Sequence, residues 1–210
     1  MIRPQGNDSR GRGPASTKGS DYAERLEKLE HVWWKRLIDV QRPYRANLRR
    51  LAEGRVLDVG CGIGRNLVAL PAGAVGVDHN ADSVAVSRNR GCTAYLPAEF
   101  RSSGDAVPGV FGTLLLAHVV EHMPHLAAAS LISEYLPYVR PAGRLVLICP
   151  QERGYASDPT HVEFLHLDDM ASLCHEVGAT VEHARSFPLP RWTGRLFTYN
   201  EFVVAARLPA

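Results

Sequence analysis

The sequence predicts an α/β protein: a doubly wound, seven-stranded, mostly parallel sheet that follows an N-terminal helical cap. Three observations predict it. A strand-forming run over residues 55–58 leads directly into a glycine-rich loop. Short apolar runs then alternate with segments of helical periodicity along the rest of the chain. Proline and glycine mark most of the changes between the two. This alternation is typical of parallel sheets that bind ligands at the carboxyl ends of their strands.

The N-terminal region divides into two parts. Residues 1–20 are rich in Gly, Arg, Ser and Pro and almost lack large apolar side chains, which predicts a disordered tail. Residues 21–50 predict the helical cap, because apolar residues recur there at three- and four-residue steps up to a break at Pro43. The cap is expected to roof a binding site, which makes Trp33 a candidate substrate contact, although plain core packing explains the same side chain.

The main domain is predicted to cover residues 51–210. A short helix is expected after the glycine-rich loop, because Pro71 and Gly73 follow closely. Further helices are predicted over residues 82–90, 126–136 and 167–177. Strands are predicted over residues 55–58, 74–77, 92–96, 111–117, 144–149, 180–186 and 202–207. The strand over residues 111–117 is strongly apolar, as expected for the buried centre of a parallel sheet.

Composition narrows the class of protein. A chain of 210 residues with 45% hydrophobic residues is long enough for one domain with an ordinary core. The formal charge of +2 does not require a nucleic-acid partner. No apolar run has the length of a membrane span, and the first residues lack the apolar core of a signal peptide. The four cysteines form no CxxC pair, so we expect reduced thiols in a cytoplasmic protein. The oligomeric state is left open, a homodimer included.

The glycine-rich loop predicts a nucleoside site. Gly60, Gly62 and Gly64 stand at alternate positions, so backbone N–H groups can approach a ligand closely. Asp78 ends the next strand, twenty positions after Asp58, where an acid can accept hydrogen bonds from ribose hydroxyls. A dinucleotide fingerprint would need a glycine at the position of Arg65. The spacing therefore argues against a nicotinamide enzyme.

The run Asp58-Val59-Gly60-Cys61-Gly62-Ile63-Gly64, with Asp78 in register, resembles motif I of the class I S-adenosylmethionine-dependent methyltransferases. The resemblance extends from about Leu51 to Gly178 and implies a Rossmann-like fold with S-adenosylmethionine as cofactor. It implies that the glycines accommodate the methionine part, that Asp78 binds the ribose, and that His79 and Asn80 border the adenine. The cofactor residues implied by the resemblance are Asp58, Gly60, Cys61, Gly62, Gly64, Asn66, Asp78, His79, Asn80, Glu99, Phe100 and Ala117. The chain departs from the pattern at Gly112, where many relatives carry an acid.

A histidine-rich segment follows the fourth strand. His118, Glu121 and His122 stand at i, i+3 and i+4, so one helical turn would place all three on one face. The same letters form a metalloprotease signature, but that signature requires a long helix rather than the end of a buried strand. The segment resembles the ubiquinone-pathway O-methyltransferases, in which a Glu-x-x-Glu-His run is thought to hold a divalent cation. His118, Glu121 and His122 are therefore candidate ligands, although two imidazoles are unusual for Mg²⁺. A purely structural role remains open.

The loop after the fifth strand, residues 150–164, is long and polar, as substrate loops often are. A neutral hydroxyl is a poor nucleophile, so methylation at oxygen gains from a general base or a metal ion. His161 is the candidate base, with His118 as a second catalytic candidate, and Tyr155 and Asp158 are candidate substrate contacts. His161 is equally well explained as an ordinary loop histidine.

These features predict a methyltransferase that acts on a hydroxyl of a sugar or short oligosaccharide, with Mg²⁺ as a candidate second cofactor. The whole pattern resembles an actinobacterial group of O-methyltransferases that act on short mannosides in polysaccharide biosynthesis. The first alternative is a metal-independent methyltransferase of another small molecule or of RNA. A further alternative is a module that binds S-adenosylmethionine without catalysis.

Overall fold

The computed structural model describes residues 41–210, and within them the predicted doubly wound sheet is confirmed. Seven strands lie in the order β3-β2-β1-β4-β5-β7-β6. They are β1 (Val56–Val59), β2 (Val75–Val77), β3 (Thr93–Tyr95), β4 (Phe111–Ala117), β5 (Val139–Pro150), β6 (Thr180–Phe187) and β7 (Glu201–Arg207). All pairs are parallel except those made by β7, which runs antiparallel to β5 and β6.

Helices cover both faces of this sheet. They are α1 (Arg42–Leu51), α2 (Ala81–Asn89), α3 (Pro97–Ser102), α4 (His125–Tyr135), α5 (Glu152–Tyr155) and α6 (Leu167–Glu176). Gly91 and Gly178, both with positive φ, follow the ends of α2 and α6 as predicted. The predicted tail, Trp33 and most of the predicted cap lie outside the described residues. Pro43 stands in the first turn of α1, where its missing N–H is tolerated.

The short helix predicted after the glycine-rich loop is wrong. Residues 62–69 form consecutive turns, closed by bonds such as Gly64 N–H to the Cys61 carbonyl (3.0 Å) and Leu70 N–H to the Asn66 carbonyl (3.0 Å). Gly64 adopts a φ of 81°, and Pro71 follows seven residues later. Pro71 has no N–H to continue a helical hydrogen-bond pattern, so the turns end before it.

The core lies on both faces of the central strands. Every residue of β4 is buried, which matches its strongly apolar sequence, and the one polar side chain, Thr113, donates to the Glu53 carbonyl (2.9 Å). One face packs against α4 and α6 through side chains such as Phe111, Ile132 and Met170. The opposite face packs against α1 through Leu48 and Leu51. Both layers hold the central strands rigidly, so their carboxyl ends form a fixed edge.

That edge collects the polar segments identified in the sequence. The glycine loop follows β1, Asp78 follows β2, and the histidine-rich segment follows β4. Because β7 is antiparallel and Glu201 pairs with Pro150, the start of β7 lies at the same edge. Four cysteines are free thiols, three of them buried, as predicted. In the described part of the chain, no helix combines the length and the apolar character that a bilayer crossing would need.

Candidate active site

A cavity of about 240 Å³ opens at the carboxyl edge, between the glycine loop and the segment after β4. One side is formed by backbone and polar groups that the sequence singled out: Gly60, Gly62, Asp78, His79, Asn80, His118 and His122. The lining also contains apolar groups, among them Pro97, Val119, Met123, Leu131 and Tyr135. A cavity lined by both polar and apolar groups suits a ligand that carries both a ribose and an adenine ring.

The β2 end forms the acidic part of this cavity. Asp78 is buried, and its two oxygens accept hydrogen bonds from the N–H groups of Gly62 and Asn80, each at 2.8 Å. The Asn80 side chain in turn accepts from the Ser83 N–H (3.1 Å) and caps α2. Asp78 is thereby held against the glycine loop, and its remaining lone pairs can accept from ribose hydroxyls.

Gly60 and Gly62 adopt positive φ values of 77° and 52°, which an L side chain rarely adopts. A Cβ at Gly60 would lie 2.3 Å from a methyl carbon of Val119, so the loop and the β4 exit can pack this closely only at a glycine. A Cβ at Gly62 would meet nothing within 4 Å, which is consistent with open space for a ligand. Together with Asp78, these residues fit an S-adenosyl group.

Asp58 lies beneath this loop and is fully buried. Neither carboxylate oxygen makes a hydrogen bond of ordinary geometry with the described residues. Burial, and then the negative charge of Asp78, raises the pKa of Asp58 to about 8, against an opposing effect of the Asn66 side chain. Asp58 therefore supports the loop from below rather than lining the cavity.

Several residues expected near the cofactor lie outside the cavity lining. Phe100 is fully buried within an aromatic cluster, with ring centroids 4.9 Å from Tyr138 and 6.0 Å from Tyr135. Glu99 binds Arg88 and accepts from the Leu96 N–H at the start of α3. Cys61, Gly64, Asn66 and Ala117 are likewise absent from the lining. Cys61 packs in a cluster with Val84, and a Cβ at Gly64 would lie 2.5 Å from the Ser87 hydroxyl, so both serve loop packing.

His118 is placed differently from the sequence expectation. The helical turn after β4 covers only Val120–His122, and His118 lies before it with a φ of 59°. The prediction that His118, Glu121 and His122 share one helical face is therefore wrong. Its Nε2 lies 2.9 Å from Glu201 Oε1, and its Nδ1 lies 3.4 Å from Glu121 Oε1. Desolvation by the surrounding groups would lower the pKa of His118, whose side chain is still 46% exposed, but its contacts with Glu121 and Glu201 outweigh it and raise the pKa to about 10.

Glu121, His122 and His161 form the closest group of metal-ligating side chains in the described residues. One ligand atom from each lies within 4.8 Å of the other two. Glu121 is 1% exposed, and neither carboxylate oxygen makes an ordinary hydrogen bond. A buried carboxylate that lies among the imidazoles of His118, His122 and His161 can be stabilised by a divalent cation or by a proton transferred to one of the rings. His161 from the β5–α6 loop thus stands in the group where the sequence suggested His118.

The orientation of His161 is fixed by its neighbours. Its Nδ1 lies 2.7 Å from the Tyr155 carbonyl, which can only accept, so Nδ1 carries the proton. In the neutral ring, Nε2 then carries the lone pair, and it lies 4.0 Å from Glu121 Oε1. The ring stacks on Tyr155 with centroids 4.8 Å apart. Tyr155 therefore supports His161 through both its backbone and its ring.

Asp158 supports the neighbouring histidine. Its Oδ1 accepts from the N–H (2.9 Å) and the hydroxyl (2.8 Å) of Thr160. The Thr160 carbonyl lies 3.2 Å from His122 Nδ1. Burial would raise the pKa of Asp158, but the hydrogen bonds from Thr160 outweigh burial and lower it. Asp158 thus shapes the loop around His122.

Sequence reasoning missed the apolar lining and Glu201. Met123, Leu131 and Tyr135 lie in or beside a helix whose apolar pattern also fits ordinary core packing, so no spacing distinguishes them. Glu201 stands alone at the start of a strand, without a motif around it. Only the antiparallel placement of β7 brings it to the site.

Comparison with known proteins agrees with this geometry. A family model described as a methyltransferase domain matches residues 35–184. A ubiquinone biosynthesis O-methyltransferase from Azotobacter vinelandii is 31% identical over an alignment of 144 residues, which covers 60% of this chain and 61% of the relative. The chain therefore spans about three fifths of the length of this curated relative.

Two solved structures share the fold. A SAM-dependent methyltransferase from Archaeoglobus fulgidus superposes with a TM-score of 0.61 at 17% identity, covering 83% of this chain and 98% of that one. Magnesium protoporphyrin IX methyltransferase from Synechocystis PCC 6803, with bound SAH, gives a TM-score of 0.62 at 15% identity, covering 90% and 95%. At these identities the likeness supports the fold alone.

The sheet, the glycine loop and the acid after β2 define the class of S-adenosylmethionine-dependent methyltransferases, with S-adenosylmethionine as the cofactor. Since the family model matches well over half of the sequence, the chain belongs to the methyltransferase domain family.

Proposed function

We propose that this enzyme transfers the methyl group of S-adenosylmethionine to a hydroxyl of a sugar or short oligosaccharide. The observation that carries the proposal is the group of Glu121, His122 and His161. His122 lines the cavity, and the buried His161 side chain packs against it with ring centroids 4.7 Å apart and its Nε2 4.0 Å from Glu121 Oε1. A polar, histidine-lined mouth suits an acceptor with several hydroxyls. Within this class, the mannoside-methylating group that includes the mycobacterial methylmannose polysaccharide 1-O-methyltransferase is the finer proposal.

When bound, S-adenosylmethionine supplies an electrophilic methyl group on a sulfonium. The chain's own residues do the rest. Asp78 accepts hydrogen bonds from the ribose, and the N–H groups of the glycine loop border the methionine part. His161 Nε2 accepts the acceptor's hydroxyl proton as the oxygen–methyl bond forms and the sulfur–methyl bond breaks. The negative charge of Glu121 stabilises the imidazolium that results.

A metal-assisted route uses the same residues in another way. Glu121, His122 and His161 together offer one carboxylate and two imidazoles, a donor set that suits Zn²⁺, Mn²⁺ or Co²⁺ better than Mg²⁺. Such an ion would acidify the acceptor hydroxyl. His118 then contributes through Glu121 rather than as a ligand.

A second candidate acceptor is the hydroxyl of a small aromatic molecule. The Azotobacter vinelandii relative is named as an O-methyltransferase of ubiquinone biosynthesis, and this favours an oxygen acceptor without requiring a sugar. The free cysteines fit a reducing compartment, and we propose a cytoplasmic enzyme.

An acceptor panel tests these proposals. Methyl mannoside, short mannose oligosaccharides, catechols and RNA are each incubated with methyl-labelled S-adenosylmethionine, with and without EDTA. We expect label on the mannosides. Loss of transfer with EDTA and recovery with Mn²⁺ or Zn²⁺ would favour the metal route, whereas unchanged transfer would favour His161 as the base. Label on catechol or RNA alone would contradict a sugar acceptor. Cofactor binding without transfer to any acceptor would indicate a non-catalytic module.

A further inference from the structure

Glu201 is the first residue of β7, a strand without a recognisable motif. Its side chain is 14% exposed, and its Oε1 lies 2.9 Å from His118 Nε2. The backbone at this point is fixed, because the buried Gln151 amide donates to the Glu201 carbonyl (2.9 Å). Glu201 therefore presents a carboxylate to the site from a rigid strand end.

His118 connects this carboxylate with a second one. Its backbone N–H donates to the Ile148 carbonyl (2.8 Å), and its φ of 59° directs the residue out of β4 toward the cavity. One ring nitrogen lies against Glu201, and the other lies 3.4 Å from Glu121 Oε1. The imidazole thus bridges two carboxylates from different parts of the chain.

Glu121 depends on that bridge for its orientation. Neither of its oxygens makes an ordinary hydrogen bond with the described residues. The ring nitrogens nearest to its Oε1 are those of His118 at 3.4 Å and His161 at 4.0 Å. If the His118 ring rotated, Glu121 would lose its nearer imidazole contact while the Cys149 thiol stayed beside it, and its alignment with His161 would loosen.

We propose that Glu201 is a positioning residue, which holds the His118 ring so that His118 orients Glu121 toward His161. The role rests on the proposed function of this site and extends it to a residue that touches neither the cofactor cavity nor the reacting atoms. Glu201 acts through His118, and its effect should fall on turnover more than on cofactor binding.

The test compares Glu201→Ala with Glu201→Gln, which keeps an acceptor oxygen for His118. Glu176→Ala is the matched control, because Glu176 binds His125 Nε2 at 2.7 Å in a histidine–carboxylate pair elsewhere in the molecule. Imidazole ¹⁵N–¹H NMR spectra of the full chain report ring orientation. We expect Glu201→Ala to shift the signals of both His118 and His161. We expect kcat to fall roughly 10- to 100-fold at an unchanged KM for S-adenosylmethionine, with partial rescue in Glu201→Gln.

Two outcomes would overturn the proposal. In one, Glu201→Ala changes the His161 signals and kcat no more than the control Glu176→Ala does. In the other, both Glu201 variants lose activity and melting temperature together without rescue by glutamine, which indicates a structural role alone. If the wild type methylates no acceptor but the His161 signals respond to Glu201→Ala, the proposed function fails while the positioning role stands.

Discussion

A carboxyl group without a counter-charge resists ionisation when it is removed from water, and Asp58 is in this position. Burial and the neighbouring Asp78 raise its pKa to about 8, well above the roughly 3.9 of an unfolded aspartate. Between these two values the folded protein binds a proton that the unfolded chain has lost. The contribution of Asp58 to stability is therefore full below about pH 4 and is lost as the pH rises to about 8.

Asp58→Asn should remove this pH dependence. The amide has nearly the shape of the protonated acid and does not ionise, so the variant should lose less stability than the wild type between about pH 5 and pH 8. Urea unfolding across that range measures the slope. Asp82→Asn, at an exposed position in α2, is the control and should keep the wild-type slope. Parallel curves for wild type and Asp58→Asn would contradict the raised pKa.

A single site residue can be predicted from the sequence when both its residue type and its distance from a motif point to the same role. Asp78 could be singled out because it follows a strand end at a fixed spacing from the glycine loop, whereas His161 could be named only as one of two equal explanations of a loop histidine. Glu201 could not, because an isolated glutamate at a strand start has no signature until the neighbouring strand is known. The predicted helical face for His118 fails because His118 leaves β4 with a φ of 59° before the helical turn begins, and no residue spacing encodes that angle.

Gly60, at the junction between β1 and the glycine loop, determines how closely this loop can approach the segment after β4. The Gly60 N–H donates to the Val77 carbonyl (2.8 Å), while its α-carbon lies against Val119 from the β4 exit. The loop is therefore fixed to β2 on one side and to the histidine-rich segment on the other.

Gly60→Ala should weaken this junction in two ways. Its φ of 77° strains an alanine, and the new Cβ would lie 2.3 Å from Val119. We expect a loss of roughly 2–4 kcal/mol in stability and weaker binding of S-adenosylmethionine. Gly91→Ala separates the effects, because Gly91 has a φ of 79° and nothing within 4 Å. For Gly91→Ala, chemical unfolding should show a loss of about 1–2 kcal/mol in the free energy of unfolding. Calorimetric titration should show an unchanged affinity for S-adenosylmethionine. Equal losses in both variants would refute the close-packing argument.

Elements are predictable where burial dominates. The bounds of β4 follow from its apolar run, and α2 and α6 end near glycines that were visible in the sequence. The segment after Gly64 has helical composition, but it forms consecutive turns that end before Pro71. β5 begins at Val139, five residues before its predicted start, because Phe111 pairs with Val139 beyond an irregularity in the ladder.

A network of arginine–glutamate ion pairs lies far from the candidate active site. At the sheet edge opposite the site, Arg207 binds both Glu53 and Glu182, and Arg144 joins the same pair. The hydrogen bonds from Arg207 lower the pKa of Glu53 and of Glu182, against a smaller opposing effect of burial. This network ties the α1–β1 connection to β5, β6 and β7.

Arg207→Met should destabilise the protein by about 1 kcal/mol near neutral pH. Because the folded pKa values of Glu53 and Glu182 are depressed, their contribution is full above about pH 4.5 and is lost as the pH falls below it. The difference from wild type should therefore shrink at pH 3. Thermal unfolding at both pH values measures it, with Arg101→Met, which removes an isolated exposed pair with Glu134, as the control. If the stability difference between Arg207→Met and wild type were the same at both pH values, an electrostatic origin of the effect would be ruled out.

The most direct measurement of the central claim follows a deuterated methyl group from S-adenosylmethionine to a hydroxyl-bearing acceptor by mass spectrometry. The account predicts the label on an acceptor oxygen in the wild type. It predicts a loss in kcat of roughly 100-fold or more in His161→Ala, with unchanged cofactor affinity. His166→Ala, an exposed histidine of the same loop, should transfer at the wild-type rate. Undiminished O-methylation by His161→Ala, or label that appears only on nitrogen, would contradict it.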